Sequence, residues 1–107
     1  MLRASDSTGR AWLEKRPARG IWAGLYSLPV FESRTALLEA LPSSCNALQD
    51  EAPFVHVLTH KDLHLHPVKV VCEGAHVLSD RGRWFDVQEW TELGLPAPVR
   101  KLLVAGG

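Results

Sequence analysis

The spacing of apolar and polar residues changes several times along this chain, and each change marks an element. In "LRASDSTGRAWLEK" Leu2 opens one strand, and in the return strand Ala11, Leu13 and Lys15 alternate with Trp12 and Glu14. Asp6 to Gly9 between them carry turn chemistry, so the segment predicts a β-hairpin. "RPARGIWAGLYSLPVFE" follows, where Pro17, Gly20, Gly24 and Pro29 interrupt aromatic and aliphatic residues. Glycines beside Trp22 and Tyr26 predict close backbone approach and a loop that packs on itself. Ser33 then stands where it would cap a helix with Leu37, Leu38 and Leu41 on one face, and Pro42 ends it.

"PSSCNALQDEAP" reads as a polar connector. Residues 54–60 and 63–73 predict two strands around a turn at Lys61 and Asp62. Pro67, with the shift from Leu63/Leu65 to Val68/Val70, predicts a bulge or an edge there. "RWFDVQEWTELG" predicts a short strand running into a helix. Asp86 and Glu89 have the spacing of a capping box, and Gly94 suits the left-handed position that ends a helix. "PAPVRKLLVAGG" predicts a last helix, with Pro98 in its first turn and Val99, Leu102 and Leu103 facing inward. The order strands, helix, strands, helix predicts an α+β class: a mixed β-sheet with two or three helices packed on it. Residues 1–107 read as one domain, and a chain that opens almost inside a strand suits a domain cut from something longer.

Charge and cysteines narrow the function. Formal net charge is zero with the histidines neutral. That argues against a free-standing, strongly electrostatic nucleic-acid binder, because non-specific affinity comes from neutralised phosphates. It leaves room for local basic patches and for a domain tethered near DNA by a second one. Cys45 and Cys72 form no C-x-x-C pair, and the expectation is two buried free thiols in a cytosolic protein. No apolar run approaches the ~20 residues that cross a bilayer. The opening residues lack the layout of a signal peptide, so a soluble, cytoplasmic protein is expected, with no membrane partner.

The candidate chemistry lies in "FVHVLTHKDLHLHPVKV", which holds His56, His60, His64 and His66. His64 and His66 are two apart on a predicted strand and share a face, with His56 or His60 opposite. No cysteine or carboxylate completes a metal set convincingly, and exposed polar alternation explains the residues without one. His60 near Asp62, with Thr59 or Ser27 as the alcohol, contains the pieces of an acid–base arrangement, but no nucleophile elbow or phosphate-cradling loop accompanies them. Base recognition is the third reading. Thr59 and His60 would stand at a hairpin tip flanked by Leu58 and Lys61, offering a hydroxyl, an imidazole, an apolar contact and a phosphate-seeking ammonium. A polar, solvated loop tip accounts for the same residues.

Three blocks lift the third reading. R-P-x-x-G-I-W-A-G-L-Y, H-x-x-T-H-x-x-L and G-L-P-A-P-V-R-K-L-L occur in this order, and together they resemble the C-terminal domain of the MutY-type adenine DNA glycosylases from about Leu2 to Leu103. The resemblance implies a Nudix-like fold and a domain that covers DNA and recognises 8-oxoguanine paired with adenine. It also implies that adenine removal, and the iron–sulfur cluster that accompanies it, belong to a separate N-terminal catalytic domain, a partner in the same chain. Two isolated cysteines do not make a four-iron cluster, so no cofactor is expected in this domain. In such domains a Phe-Ser-His loop does much of the recognition. Position by position, Leu58 replaces the phenylalanine, Thr59 the serine, and His60 matches the histidine; the neighbouring Lys61, an ammonium able to reach a phosphate, is the candidate backbone contact. The expected DNA-binding set is therefore Leu58, Thr59, His60 and Lys61, and the expected partner is duplex DNA carrying 8-oxoguanine opposite adenine.

Two rivals come from other classes. Nudix hydrolases carry an Arg-Glu-x-x-Glu-Glu helix whose carboxylates hold magnesium. The corresponding "ESRTALLEAL" offers only Glu32 and Glu39, so hydrolase chemistry is not expected. A protein-interaction module is the other rival, with Trp22, Trp84 or Trp90 as anchors unless they pack into the core.

Overall fold

The computed structural model describes residues 1–59, 61–73 and 77–105. The opening hairpin pairs β1 (Leu2–Asp6) with β2 (Ala11–Lys15). Its turn is closed by the Asp6 carboxylate, which accepts from the Thr8 N–H and hydroxyl and from the backbone and side chain of Arg10. Four donors on one carboxylate replace the water that a buried Asp6 loses. After β3 (Tyr26–Ser27) comes α1 (Arg34–Ala40), capped by Ser33 accepting from the Ala36 N–H at 3.1 Å. The remaining elements are β4 (Cys45–Asp50), β5 (Phe54–Val57), β6 (Asp62–Leu65), β7 (Val68–Cys72), β8 (Gly82–Phe85), α2 (Val87–Thr91) and α3 (Ala97–Ala105). Asp86 and Glu89 form the expected capping box at the start of α2.

A six-stranded sheet runs β3-β2-β1-β7-β4, with β8 also paired to β2. Glu14 faces Ser27 on one edge and Gly82 on the other, so β2 carries β8 along one side and β1 then β3 along the other. β1 and β7 are parallel, from Leu2 opposite Val68 to Asp6 opposite Cys72, while the other pairings are antiparallel. This is the mixed sheet the element order predicts.

Side-chain alternation splits the core between the two faces of the sheet. Leu2, Ala4, Trp12, Val68, Val70, Cys72 and Trp84 pack with Leu37 of α1. Ala11, Leu13 and Phe85 point the other way and pack with Trp90 of α2 and Val99 and Leu103 of α3. Burial on both faces puts apolar residues at successive positions of β2, where Ala11, Trp12 and Leu13 are all buried. Trp12 and Trp84 are direct cross-strand partners and meet edge-to-face at 5.4 Å. The crossing is tight at Gly82, where any Cβ would run into the Leu13 carbonyl oxygen.

Four expectations need correction. "PSSCNALQDEAP" is not a connector throughout, because Cys45–Asp50 forms β4, the edge strand beside β7. Its residues are mostly exposed, so neither face leaves an apolar signature in the sequence. Residues 63–73 are not one strand. The chain leaves β6 at Leu65, passes Pro67 and enters β7 in a different sheet. Proline has no N–H to donate to a ladder, which is why the pairing changes there. Cys45 and Cys72 are not free thiols: they face each other across β4 and β7 and are joined as a disulfide, leaving no free cysteine among the described residues. Gly94 is not in the left-handed region. It follows α2 and approaches Leu25 closely, a Cβ there falling 3.1 Å from Leu25 Cδ2, while its carbonyl accepts from the Tyr26 N–H.

Candidate nucleic-acid interface

β5 and β6 form a two-stranded sheet of their own, in register from Phe54–Leu65 to Val57–Asp62. Phe54, Leu63 and Leu65 turn inward onto the cluster under α2 and α3. Val55, Val57, Asp62 and His64 are exposed. The root of the hairpin is tied down by the Glu51 N–H donating to the Pro67 carbonyl at 2.9 Å. A two-pronged Arg3–Glu51 ion pair, at 2.7 and 2.9 Å, secures the same point. The Arg3 guanidinium beside Glu51 holds that carboxyl below the usual range, so it stays ionised and paired.

The free end of the hairpin carries the predicted recognition residues. The Leu58 N–H donates to the Lys61 carbonyl at 2.8 Å and closes the turn, which therefore sits two residues earlier than the Lys61–Asp62 turn the pattern suggested. Asp62 belongs to β6. Leu58 is half-buried, whereas Thr59 and Lys61 are exposed. His60 lies outside the described residues. The arrangement puts a hydroxyl and an ammonium in water at the end of a rigidly rooted finger, with an apolar side chain bracing it from below. Those groups suit hydrogen bonding to a polar edge and contact with an anion.

The remaining histidines separate. His56 faces inward, its ring 6.2 Å from that of Trp22. His64, opposite Val55, and His66, beyond the end of β6, are exposed. Among the described residues no three of His, Cys, Asp and Glu come together as a metal set. Ser27, the other candidate alcohol, is fully buried and donates to the Leu28 carbonyl. Glu32 precedes α1 and Glu39 lies on its exposed side, with no acidic residue in the first turn of that helix. The helix faces its leucines to the sheet and offers no carboxylate cluster for a divalent ion. Trp84 and Trp90 are core residues at 6% and 7% exposure, so neither anchors a partner. Sequence reasoning did not bring Trp22 and His56 together; the only hint was the density of glycine around Trp22.

A model of the NUDIX domain family matches residues 1–105. The adenine DNA glycosylase of Buchnera aphidicola subsp. Schizaphis graminum (strain Sg) is 27% identical over 99 residues, covering 86% of this chain and 28% of that protein. The adenine DNA glycosylase of Buchnera aphidicola subsp. Baizongia pistaciae (strain Bp) is 27% identical over 100 residues with the same coverage. This chain thus spans less than a third of the length of the curated relatives it matches. Among solved structures, the C-terminal domain of mouse MUTYH, crystallised with human PCNA, superposes with a TM-score of 0.67 at 17% identity, covering 98% of this chain and 84% of that one. A Nudix hydrolase from M. smegmatis, RenU, gives 0.52 at 18% identity, with 98% and 78% covered. Both likenesses carry the fold: a Nudix-type mixed sheet with three helices. No helix among the described residues is long and apolar enough to cross a membrane.

Proposed function

The chain belongs to the NUDIX domain family, and from that premise we propose that it is the C-terminal, damage-reading domain of a MutY-type adenine DNA glycosylase. In this reading it acts in base excision repair in a bacterial cytoplasm. It recognises 8-oxoguanine opposite adenine in duplex DNA and performs no chemistry of its own. Adenine removal, and the iron–sulfur cluster, belong to a catalytic domain that this chain does not span. The two cysteines here are joined to each other.

The observation that carries the reading is the β5–β6 hairpin: an anchored root, an inward apolar face, and Thr59 and Lys61 exposed at its end. The similarity to adenine DNA glycosylases supports DNA as the substrate class. Guanine presents N7 as an acceptor in the major groove. Oxidation at C8 turns N7 into a donor and adds an oxygen acceptor, so the local pattern inverts. A hydroxyl that both donates and accepts satisfies the new pattern together with backbone groups at the turn. Facing ordinary guanine, the same desolvated groups are left mismatched, and an unmade polar pairing discriminates more strongly than a shape difference. In this division of labour Thr59 and His60 read the damaged base, Leu58 supports the turn and Lys61 contacts the backbone.

The experiment is a comparison of adenine removal opposite 8-oxoguanine and opposite guanine by the full-length protein carrying this domain. Thr59→Ala with His60→Ala should lower that preference by about five- to thirtyfold, the equivalent of one or two hydrogen bonds of ~1 kcal/mol each. An unchanged ratio would remove recognition from this loop.

A further inference from the structure

We propose that Trp22 is the positioning residue of the β5–β6 hairpin, setting the angle of its free end through the ring of His56. The inference rests on the reading of that hairpin as the recognition element and adds what holds its geometry.

The hairpin forms no strand pairing with the six-stranded sheet. Beyond the Glu51–Pro67 backbone bond at its root, its orientation rests on side chains, and two strands alone are marginally stable in water. Phe54 and Leu65 hold the root as a cross-strand pair. Nearer the turn the inward pair is His56 and Leu63, and it is His56 that meets Trp22, with ring centroids 6.2 Å apart and planes tilted by 50°. Leu58, two residues on, donates the hydrogen bond that closes the turn. A contact at His56 thus acts one step below the reading end.

Trp22 itself is held in an uncommon conformation. Its φ is +54°, in the left-handed region that a bulky side chain rarely enters. The segment around it closes on itself: the Arg16 N–H donates to the Leu25 carbonyl at 2.8 Å, Gly24 to Pro17 at 3.0 Å and Leu25 to Trp22 at 3.1 Å. Gly20 and Gly24, at φ +91° and +73°, make that closure possible. Backbone strain of this kind persists where surrounding contacts over-determine it, and it clusters at functional sites. Trp12, Trp84 and Trp90 are buried in the core, whereas Trp22 is partly buried, its indole shared between the core cluster and the hairpin. The strained loop presents a rigid aromatic plate against which the hairpin rests.

Two measurements test this, one independent of DNA. Amide hydrogen exchange on the chain should show Leu58 and the β5 amides exchanging about tenfold faster in Trp22→Leu, with the β7 amides unchanged. Trp22→Phe, which keeps a ring at the same backbone strain, should restore most of the protection. His56→Ala should mimic Trp22→Leu, and the double variant should add little to either. In the full-length protein, Trp22→Leu should reduce the preference for 8-oxoguanine over guanine several-fold, and Trp22→Phe should recover it. The proposal is overturned if Leu58 exchanges at the wild-type rate in Trp22→Leu. It is equally overturned if β7 loosens to the same extent, since Trp22 would then be an ordinary core residue. If the hairpin loosens but the preference holds, the positioning role stands and the assignment of reading to this hairpin falls.

Discussion

Reducing the Cys45–Cys72 bond should destabilise the fold without altering its architecture, and the size of the effect follows from the chain it closes. The two cysteines are 27 positions apart and bracket β4, the whole β5–β6 hairpin and β7. In the chain-entropy treatment, closing a loop of that length removes about 12 cal/mol/K from the unfolded ensemble, or about 3.5 kcal/mol at 25 °C. Residual structure in the unfolded chain makes this an upper value, and about 2–3 kcal/mol is the working figure. For a domain of this size that corresponds to a fall in Tm on the order of 10–20 °C. The clean perturbation is reduction rather than mutation, because Cys72 is fully buried among Leu2, Val70 and Trp84, and replacing it would also disturb packing. Circular dichroism melts with and without a phosphine reductant measure the shift, and thiol titration in denaturant counts the cysteines. Two titratable thiols in the unreduced protein would refute the cross-link itself. A reduced protein melting within a few degrees of the oxidised one would refute the entropy argument, and would mean that the β4–β7 ladder alone holds that edge.

Gly82→Ala should destabilise the fold by about 2 kcal/mol or more, since the added methyl lands on backbone, 2.9 Å from the Leu13 carbonyl carbon, and the β2–β8 pair must separate to accept it; urea unfolding reads this directly, and a neutral outcome would show that β8 shifts freely. Acid should also weaken the fold through two carboxyls. Arg3 holds Glu51 below its ordinary value, and at Asp6 burial pushes upward but the hydrogen bonds from Thr8 and Arg10 outweigh it. A depressed folded-state value means that the stabilisation is complete above the unfolded values near ~4 and is lost as pH falls through the folded ones, so Glu51→Gln should flatten the acid limb of a stability–pH curve and leave its neutral plateau lower.

Elements with local signals were legible. The Asp6–Gly9 turn, the Ser33 cap, the Asp86–Glu89 capping box and the inward stripe of α3 each use residues within one turn of one another, so their chemistry is written in adjacent letters. β4 was not, because "CNALQD" is an exposed edge strand that pairs with β7, whose partner residues lie far along the chain, from Asp50 opposite Val68 to Cys45 opposite Cys72. The division of residues 54–73 between two sheets escaped for the same reason. Pro67 announced an interruption, but which partners the strands on either side would take depends on the register of β1 against β7. The turn proposed to read DNA was picked out by resemblance more than by pattern; residues 58, 59 and 61 fall at the end of the hairpin, while His60 lies outside the described residues.

The amino-acid sequence by itself therefore determined the class of fold, the caps and turns that delimit most elements, the family blocks, and the carboxylate-poor helix that argues against hydrolase chemistry. Tertiary structure decided how distant pieces meet. It joined Cys45 to Cys72, seated β4 on the edge of the sheet, detached the hairpin from that sheet, and brought the strained Trp22 against His56. Local signals arise from hydrogen bonds and dihedral preferences within a few residues. Long-range pairings pay loop-closure entropy first and are chosen by the burial of both sheet faces at once, which no short stretch of sequence records.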